Sequence, residues 1–555
     1  MKSVFFRIVF LSIFLFFGGE AVAQTIPSTA DSARIKPTED RIKTPKQMLD
    51  IKVPKLELGI ESPKGASEIE LTLTKVKIKG ATAFSHNKLK KIYKEYLNKK
   101  ISLSKVWLIA DKITKYYHDK GYFLSQAYVP AQEVDDGNII IKVVEGSISD
   151  VQVDEYYANK LLFKMLIKRL TQKSPLKISE LESFMLQVNS LPKSSFKAVL
   201  EPVAKEGQVK LHLNKLKKKD LTTISLDNYG SRFVGPYQAT LSYRDSFLPS
   251  QETTLSLLAA VPAEELRYVA LSHEIPFYPD VKAIISGNYV KSEPGFTLGR
   301  NDIRSESAQI AFDLVWQPVR QRRKNLILTA GIMGKNVNGD ILVENPLTRD
   351  RIRKVVLKAN YDRTDGIGGY NYADFGIEQG IEVLGATKVG EDNISRAGAS
   401  PDFSKITYSY TRVQTLPKQF SVIGRVSGQV AFEPLYSSEE FGYGGQSFGR
   451  AYDSSEITGD SGVAGSIEMR YRGIPKLNDV YFLPYGFYDV GKVWNEDEGG
   501  VGDSAASTGL GLQISFSSKL NAEIGIAWPL TRPINTPLYG NGKRPRYLFK
   551  VSSRL

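Results

Sequence analysis

The stretch AQIAFDLVW, Ala308–Trp316, alternates from end to end. Ile310, Phe312, Leu314 and Trp316 fall on one face, with Gln309 and Asp313 on the other. A period of two is the repeat of a β-strand, whose successive side chains point to opposite faces. KITYSYTR repeats the pattern, setting Ile406, Tyr408 and Tyr410 against Thr407, Ser409 and Thr411, and VVLKANYD and SIEMRYR follow it. From Leu221 to Leu555 helical periodicity disappears. Turn residues divide this region into sixteen candidate strands, the first in TISLDNYG and the last in RYLFKVSSRL.

Segments of about ten residues, apolar on one face and polar on the other, are the pattern of a transmembrane β-barrel. Tyr and Phe gather near the segment ends, where interfacial girdles belong. A soluble β-sandwich would also alternate. However, an open sheet of this width exposes long unpaired edges. In a bilayer such edges are intolerable, so closure follows. A barrel of this size encloses an aqueous lumen rather than a packed core.

The first residues read differently. Lys2 and Arg7 flank the apolar run IVFLSIFLFF, and Ala21 and Ala23 supply a small-x-small pattern. This predicts a secretory signal peptide over 1–23, cut after Ala23. The run is shorter than the ~20 apolar residues a spanning helix needs. Residues 24–68 are expected to form a periplasmic linker, punctuated by Pro27, Pro37, Pro45, Pro54 and Pro63. A short helix near Ser28–Ile35 is a candidate within it.

Between linker and barrel lie two compact α/β units. In the first, over 69–147, IELTLTKVKIKG reads as a strand. Helical stripes follow, with Leu89, Ile92, Tyr93, Tyr96 and Leu97 in one and Val106, Ile109, Ile113, Tyr116 and Tyr117 in the next. Gly121 closes the second helix. YFLSQAYVPA and NIIIKVVEG then read as strands around Asp135-Asp136-Gly137. The second unit, over 148–219, repeats the order with a different sequence. A three-stranded sheet with open edges can accept an added strand from an extended peptide.

Residues 71–220 carry 28 Lys and Arg against 15 Asp and Glu, so nearly all of the chain's net charge of +14 lies there. In an exported protein that favours an acidic peptide or an anionic lipid surface over nucleic acid. The chain has no cysteine, which excludes a disulfide scaffold and a thiolate metal site. The four histidines, His86, His118, His212 and His273, form no catalytic set. GFYDVGKV, from Gly486, imitates a phosphate-binding loop. Val493 stands where Ser or Thr would hold magnesium, and the segment is strand rather than the start of a helix. GYGGQSFG, Gly442–Gly449, lacks the strand–helix setting of a dinucleotide loop. No catalytic residue, metal site or cofactor is expected.

One connection is far longer than a hairpin turn. It runs over about 434–462, between the eleventh and twelfth candidate strands, and contains FGRAYDSSEITGDSG. Long connections are usually functional or disordered. Arg450 and Tyr452 are framed by glycines, and a polar lumen is a natural place to fold such a loop. Its arginine would then seek a carboxylate, and Asp489 in FYDVG on the thirteenth strand offers one. An external loop with a solvated Arg450 is the other reading.

Three stretches together resemble one family. GYFLSQAYVPAQ followed by NIIIKVVEG is similar to the hairpin of a POTRA domain. FGRAYDSSEITGDSGVAGSIEMRY resembles a loop-six signature with its following strand, and FYDVG matches an F-x-D-x-G pattern. The chain is thus identified as a member of the two-partner secretion transporters, the haemolysin/filamentous-haemagglutinin activator family. The resemblance covers nearly the whole mature chain. It implies two periplasmic POTRA domains and a 16-stranded antiparallel transmembrane β-barrel over 220–555, in the outer membrane of a Gram-negative cell. It further implies a lumen-folded loop bearing Gly449, Arg450, Ala451 and Tyr452, and a wall motif of Phe487, Asp489 and Gly491 that receives Arg450. The implied partner is a large secreted exoprotein of adhesin, cytolysin or haem-binding type, and the barrel is expected to act as a monomer in outer-membrane lipid. The chain departs from the family pattern at Ala451, where glycine is usual. A barrel-assembly factor would carry more POTRA units, and a passive porin or ligand receptor would have no use for two.

Overall fold

The computed structural model describes residues 26–37, 51–52, 62–192, 194–216, 221–246, 251–262, 265–342, 345–497, 502–517 and 519–555. The signal peptide expected over 1–23 lies outside the described residues, as does much of the linker.

The first α/β unit packs two helices, His86–Tyr93 and Ser104–Asp119, on a three-stranded sheet. Its strands run in the order Lys75–Lys79, Asn138–Val144, Gln126–Tyr128, parallel and then antiparallel. The helical stripe read from sequence is the packed face: Leu89, Tyr93, Val106, Ile109, Ile113 and Tyr117 are buried against Ile139 and Ile141. Each fully buried aliphatic side chain of this kind stabilises by about 1.5–3 kcal/mol. IELTLTKVKIKG does not form one strand. Glu70–Thr72 pairs with Lys100–Ser102, and only Lys75–Lys79 joins the main sheet. The first helix also stops at Tyr93, short of Tyr96 and Leu97, and a 3-10 turn follows.

The Glu145 carboxylate ties this unit's first loop to its last strand. It accepts from the Thr82 and Ala83 backbone N–H at 2.7 and 2.8 Å, from the Tyr117 hydroxyl at 2.8 Å, and from the Thr82 hydroxyl. Burial pushes its pKa up. The Ala83 amide and the Thr82 and Tyr117 donors outweigh that and hold it below the usual carboxylate range.

The second unit corrects an expectation. Its sheet is four-stranded, in the order Ile51–Lys52, Phe196–Pro202, Gln208–Lys215, Ser147–Gln152. Linker residues pair in parallel with Phe196–Pro202, Ile51 opposite Ala198 and Lys52 opposite Val199. The edge expected to be open is therefore occupied by the chain itself. Helices Leu161–Thr171 and Ile178–Ser190 cover the sheet and also meet the barrel. Asp280, in the turn between the fourth barrel strand (Leu266–Tyr278) and the fifth (Val281–Ser292), accepts from Arg169 and, at 2.8 Å, from Gln187. Arg320 donates to the Ser190 hydroxyl at 2.7 Å.

Sixteen antiparallel strands then close a barrel, from Leu221–Asp227 to Arg546–Arg554. First and last pair directly over five residue pairs, from Thr223 with Arg554 to Asp227 with Lys550, and every other neighbouring pair has at least seven. In the sixth strand, Arg304–Arg320, Ile310, Phe312, Leu314 and Trp316 face outward and exposed, while Ala311 and Val315 are buried inside. This strand's outer face is thus apolar from Ile310 to Trp316, as lipid requires.

Residues 26–37, expected to belong to a periplasmic linker, instead lie inside the barrel, at the end away from the α/β units. Ser32 meets Ser305 at 2.8 Å, Ser231 donates to the Thr29 carbonyl at 2.8 Å, and Ser28 donates to the Ser455 carbonyl at 2.7 Å. The helix considered over Ser28–Ile35 is a single 3-10 turn, Ser32–Arg34, with Asp31 accepting from the Ala33 N–H. Here the segment's polar groups find partners on the wall and in the long loop, so a regular helix is not needed to satisfy them.

A buried arginine in the lumen loop

The long connection joins the eleventh strand, Phe420–Ala431, to the twelfth, Ser461–Tyr471. It turns into the barrel as a hairpin in which Phe441–Tyr443 pairs with Ile457–Gly459. Polar sequence alone would leave such a loop in water. Here Arg450, Tyr452 and Asp453 are all buried.

Arg450 is the largest fully buried side chain among the described residues. Its Nε and Nη2 donate to the two oxygens of Asp489 at 3.0 and 2.9 Å, a bidentate fork. Nη1 donates to Glu468 Oε2 at 2.5 Å, and Nη2 also reaches the Ser466 hydroxyl at 3.2 Å. The backbone N–H of Arg450 donates to Asp489 as well, at 3.2 Å. Register explains the convergence: Ser466 lies opposite Asp489 and Glu468 opposite Phe487, on the twelfth strand and the thirteenth, Tyr481–Trp494. Arg470 closes the group, donating to Glu468 Oε1 at 2.7 Å. Asp489 and Glu468 compensate Arg450 without solvent, Glu468 being shared with Arg470 and Arg425; removing Arg450 would take from Asp489 its guanidinium partner.

Glycines decide how closely the hairpin docks. A Cβ on Gly491 would lie 2.2 Å from the Tyr443 ring, and one on Gly449 would lie 2.7 Å from it. Gly449 also has φ +72, a conformation that favours glycine. Ala451 takes no positive φ and is fully buried, so its methyl group fits where a family glycine is usual. Tyr452 donates to the carbonyls of Ala506 and Arg532, both at 3.1 Å. Past the tip, Asp453 pairs with Arg546 of the sixteenth strand at 2.6 Å.

All seven residues singled out in the sequence therefore meet in one place. Sequence reasoning missed Glu468, Ser466 and Arg470. The signal was present in SIEMR, where Ser466, Glu468 and Arg470 alternate with Ile467 and Met469. That places two charges on the lumen face of one membrane strand.

Residues 206–514 match "Haemolysin secretion/activation protein ShlB/FhaC/HecB", and residues 71–146 match the ShlB-type POTRA domain. The chain belongs to the haemolysin secretion/activation family. As a member of this family it is an outer-membrane transporter that recognises and secretes a large partner exoprotein, with its POTRA units in the periplasm. Curated relatives include the heme/hemopexin transporter protein HuxB of Haemophilus influenzae strain 86-028NP, 23% identical over 84% of this chain and 85% of that protein. Another is the outer membrane transporter CdiB of Dickeya dadantii strain 3937, 21% identical over 83% of each. The solved structure of CdiB from Escherichia coli superposes with a TM-score of 0.71 at 17% identity, covering 92% of this chain and 94% of that one. It shares the fold of this chain.

Proposed function

We propose that the POTRA arm captures an extended N-terminal segment of the partner exoprotein, and that the barrel conducts the unfolded chain as the lumen loop withdraws. The observation that carries this reading is the buried Arg450, which fixes the loop across the conduit through Asp489 and Glu468. Capture proceeds by strand addition in the periplasm. The outer edge along Lys75–Lys79, with exposed Lys75, Lys77 and Lys79, suits an acidic segment. No nucleotide or cofactor takes part, the protein is not an enzyme, and the barrel works as a monomer in outer-membrane lipid. The functional divisions are a leader over 1–23, a stretch over 24–68 that holds the lumen segment and the added strand Ile51–Lys52, POTRA units over 69–147 and 148–219, and a barrel over 220–555.

The cargo is an adhesin, a cytolysin or a haem-binding exoprotein, and relatives named as heme/hemopexin transporters favour the last. The test is secretion of a large exoprotein encoded beside this chain. Arg450→Ala is expected to lower export while leaving a heat-modifiable, membrane-inserted barrel. Normal export by Arg450→Ala removes the latch from the mechanism.

A further inference from the structure

The lumen loop carries another buried charge at its start, eleven residues before Arg450 and of opposite sign. Glu439 ends a 3-10 turn, Ser437–Glu439, at the loop's start. Its side chain is 2% exposed. Oε1 accepts from Lys335 Nζ at 2.8 Å, and Oε2 accepts from Lys354 at 2.6 Å and Lys405 at 2.8 Å. Its backbone carbonyl accepts from Lys405 at 2.8 Å and from Gln429 at 2.9 Å. The three ammoniums come from three barrel strands: the seventh (Lys324–Ile341), the eighth (Asn345–Thr364) and the tenth (Ser404–Thr415). Between them the ninth strand, Tyr370–Gly380, supplies Glu378, which accepts from Lys354 at 2.7 Å. All four wall side chains are 12% exposed or less.

Among the described residues, the wall carboxylate in ion-pair contact with these lumen lysines is Glu378. Without Glu439, three buried ammoniums keep a single carboxylate in direct contact. Such an arrangement is unstable unless an anion enters it or water does. The loop supplies that anion. Arg450 is held by the twelfth and thirteenth strands, so the two contacts fasten the loop to different stretches of wall.

We propose that Glu439 is a second lock on the lumen loop, separate from Arg450, and that the loop withdraws only when Lys335, Lys354 and Lys405 release it. This rests on the reading that cargo passes through the lumen. Glu439 is a positioning residue for transport. It touches the wall and not the cargo.

The test is the conductance of the purified full-length protein in planar phospholipid bilayers under potassium chloride, which needs no cargo. Glu439→Gln keeps the side-chain size and removes the charge. The fraction of time spent open is expected to rise about tenfold, with heat-modifiable mobility unchanged. Glu439→Asp keeps the carboxylate and is expected to lie closer to wild type. In the double variant with Arg450→Ala the two fold-changes are expected to multiply, to within about a factor of two. Should Glu439→Gln fail to insert, Lys335→Met weakens the same lock from the wall side and is expected to raise opening in the same direction. Inserted barrels of Glu439→Gln or Lys335→Met with wild-type conductance overturn the proposal. So does a double variant that opens no more than Arg450→Ala alone. If the wild type exports no exoprotein, the transport reading fails, whereas these conductance arms still read the lock.

Discussion

The Arg450 guanidinium carbon lies 3.4 Å from the centre of the Phe487 ring. The cation is thus sandwiched by geometry as well as charge, with carboxylates in its plane and an aromatic face beneath. A desolvated cation–π contact of this kind is worth about 2 kcal/mol. Phe487→Leu is expected to weaken loop docking by about that amount, and Phe487→Tyr to retain it. Limited proteolysis of the loop in outer-membrane preparations distinguishes them; equal protection in the two variants would show that the ring contributes only packing.

Gly491 and Ala451 lead to opposite expectations. Gly491→Ala puts a methyl group 2.2 Å from the Tyr443 ring, so the hairpin must shift, at a cost of about 1–3 kcal/mol. Ala451→Gly restores the residue usual in the family, yet it relieves no strain. It is expected to cost about 0.5–1 kcal/mol through added freedom of the unfolded chain. Export levels of the two variants check this, with Gly491→Ala clearly impaired and Ala451→Gly close to wild type.

Glu145 links pH to the first POTRA unit. Its folded pKa lies below the ordinary value of about 4.3. The carboxylate therefore contributes stability at pH above that unfolded value, and the contribution is lost as pH falls through the lower folded one. Glu145→Ala is expected to raise hydrogen exchange at the Thr82 and Ala83 amides about tenfold at neutral pH. Unchanged exchange at both amides would count against the tie.

Asp280 holds the arm to the barrel through Arg169 and Gln187. Asp280→Ala is expected to broaden the distance distribution between the second unit and the barrel, at a cost of about 1 kcal/mol in docking. The chain has no cysteine, so a pair of introduced cysteines can carry spin labels without background. A distribution as narrow as wild type would remove Asp280 as the anchor.

Much of this was legible in the sequence because lipid enforces it. A strand with Ile310, Phe312, Leu314 and Trp316 on one face has only one way to sit in a bilayer, and the same holds along the barrel. The length of the loop between the eleventh and twelfth strands, with Arg450 among glycines, pointed inward for a similar reason: few apolar residues, and a wet interior next to it. Glu468 was harder. A charge on the lumen face has many possible partners, and only cross-strand register brings it to Arg450. The path of residues 26–37 left no periodic trace, since serines and backbone groups make its contacts with the wall. The split of IELTLTKVKIKG was hidden because both pieces alternate equally well. Their different partners are fixed by tertiary pairing.

The seam between the first and last strands has a consequence in time. Fourteen strands separate its two sides, so closure has to wait for the sixteenth strand to be made and for the largest loop in the barrel to be drawn shut. Zipping it is the last topological event in the life of the nascent wall. Among the described residues it is also secured by the fewest ladder pairs. Any internal element that enters sideways rather than through a mouth must be aboard before that moment.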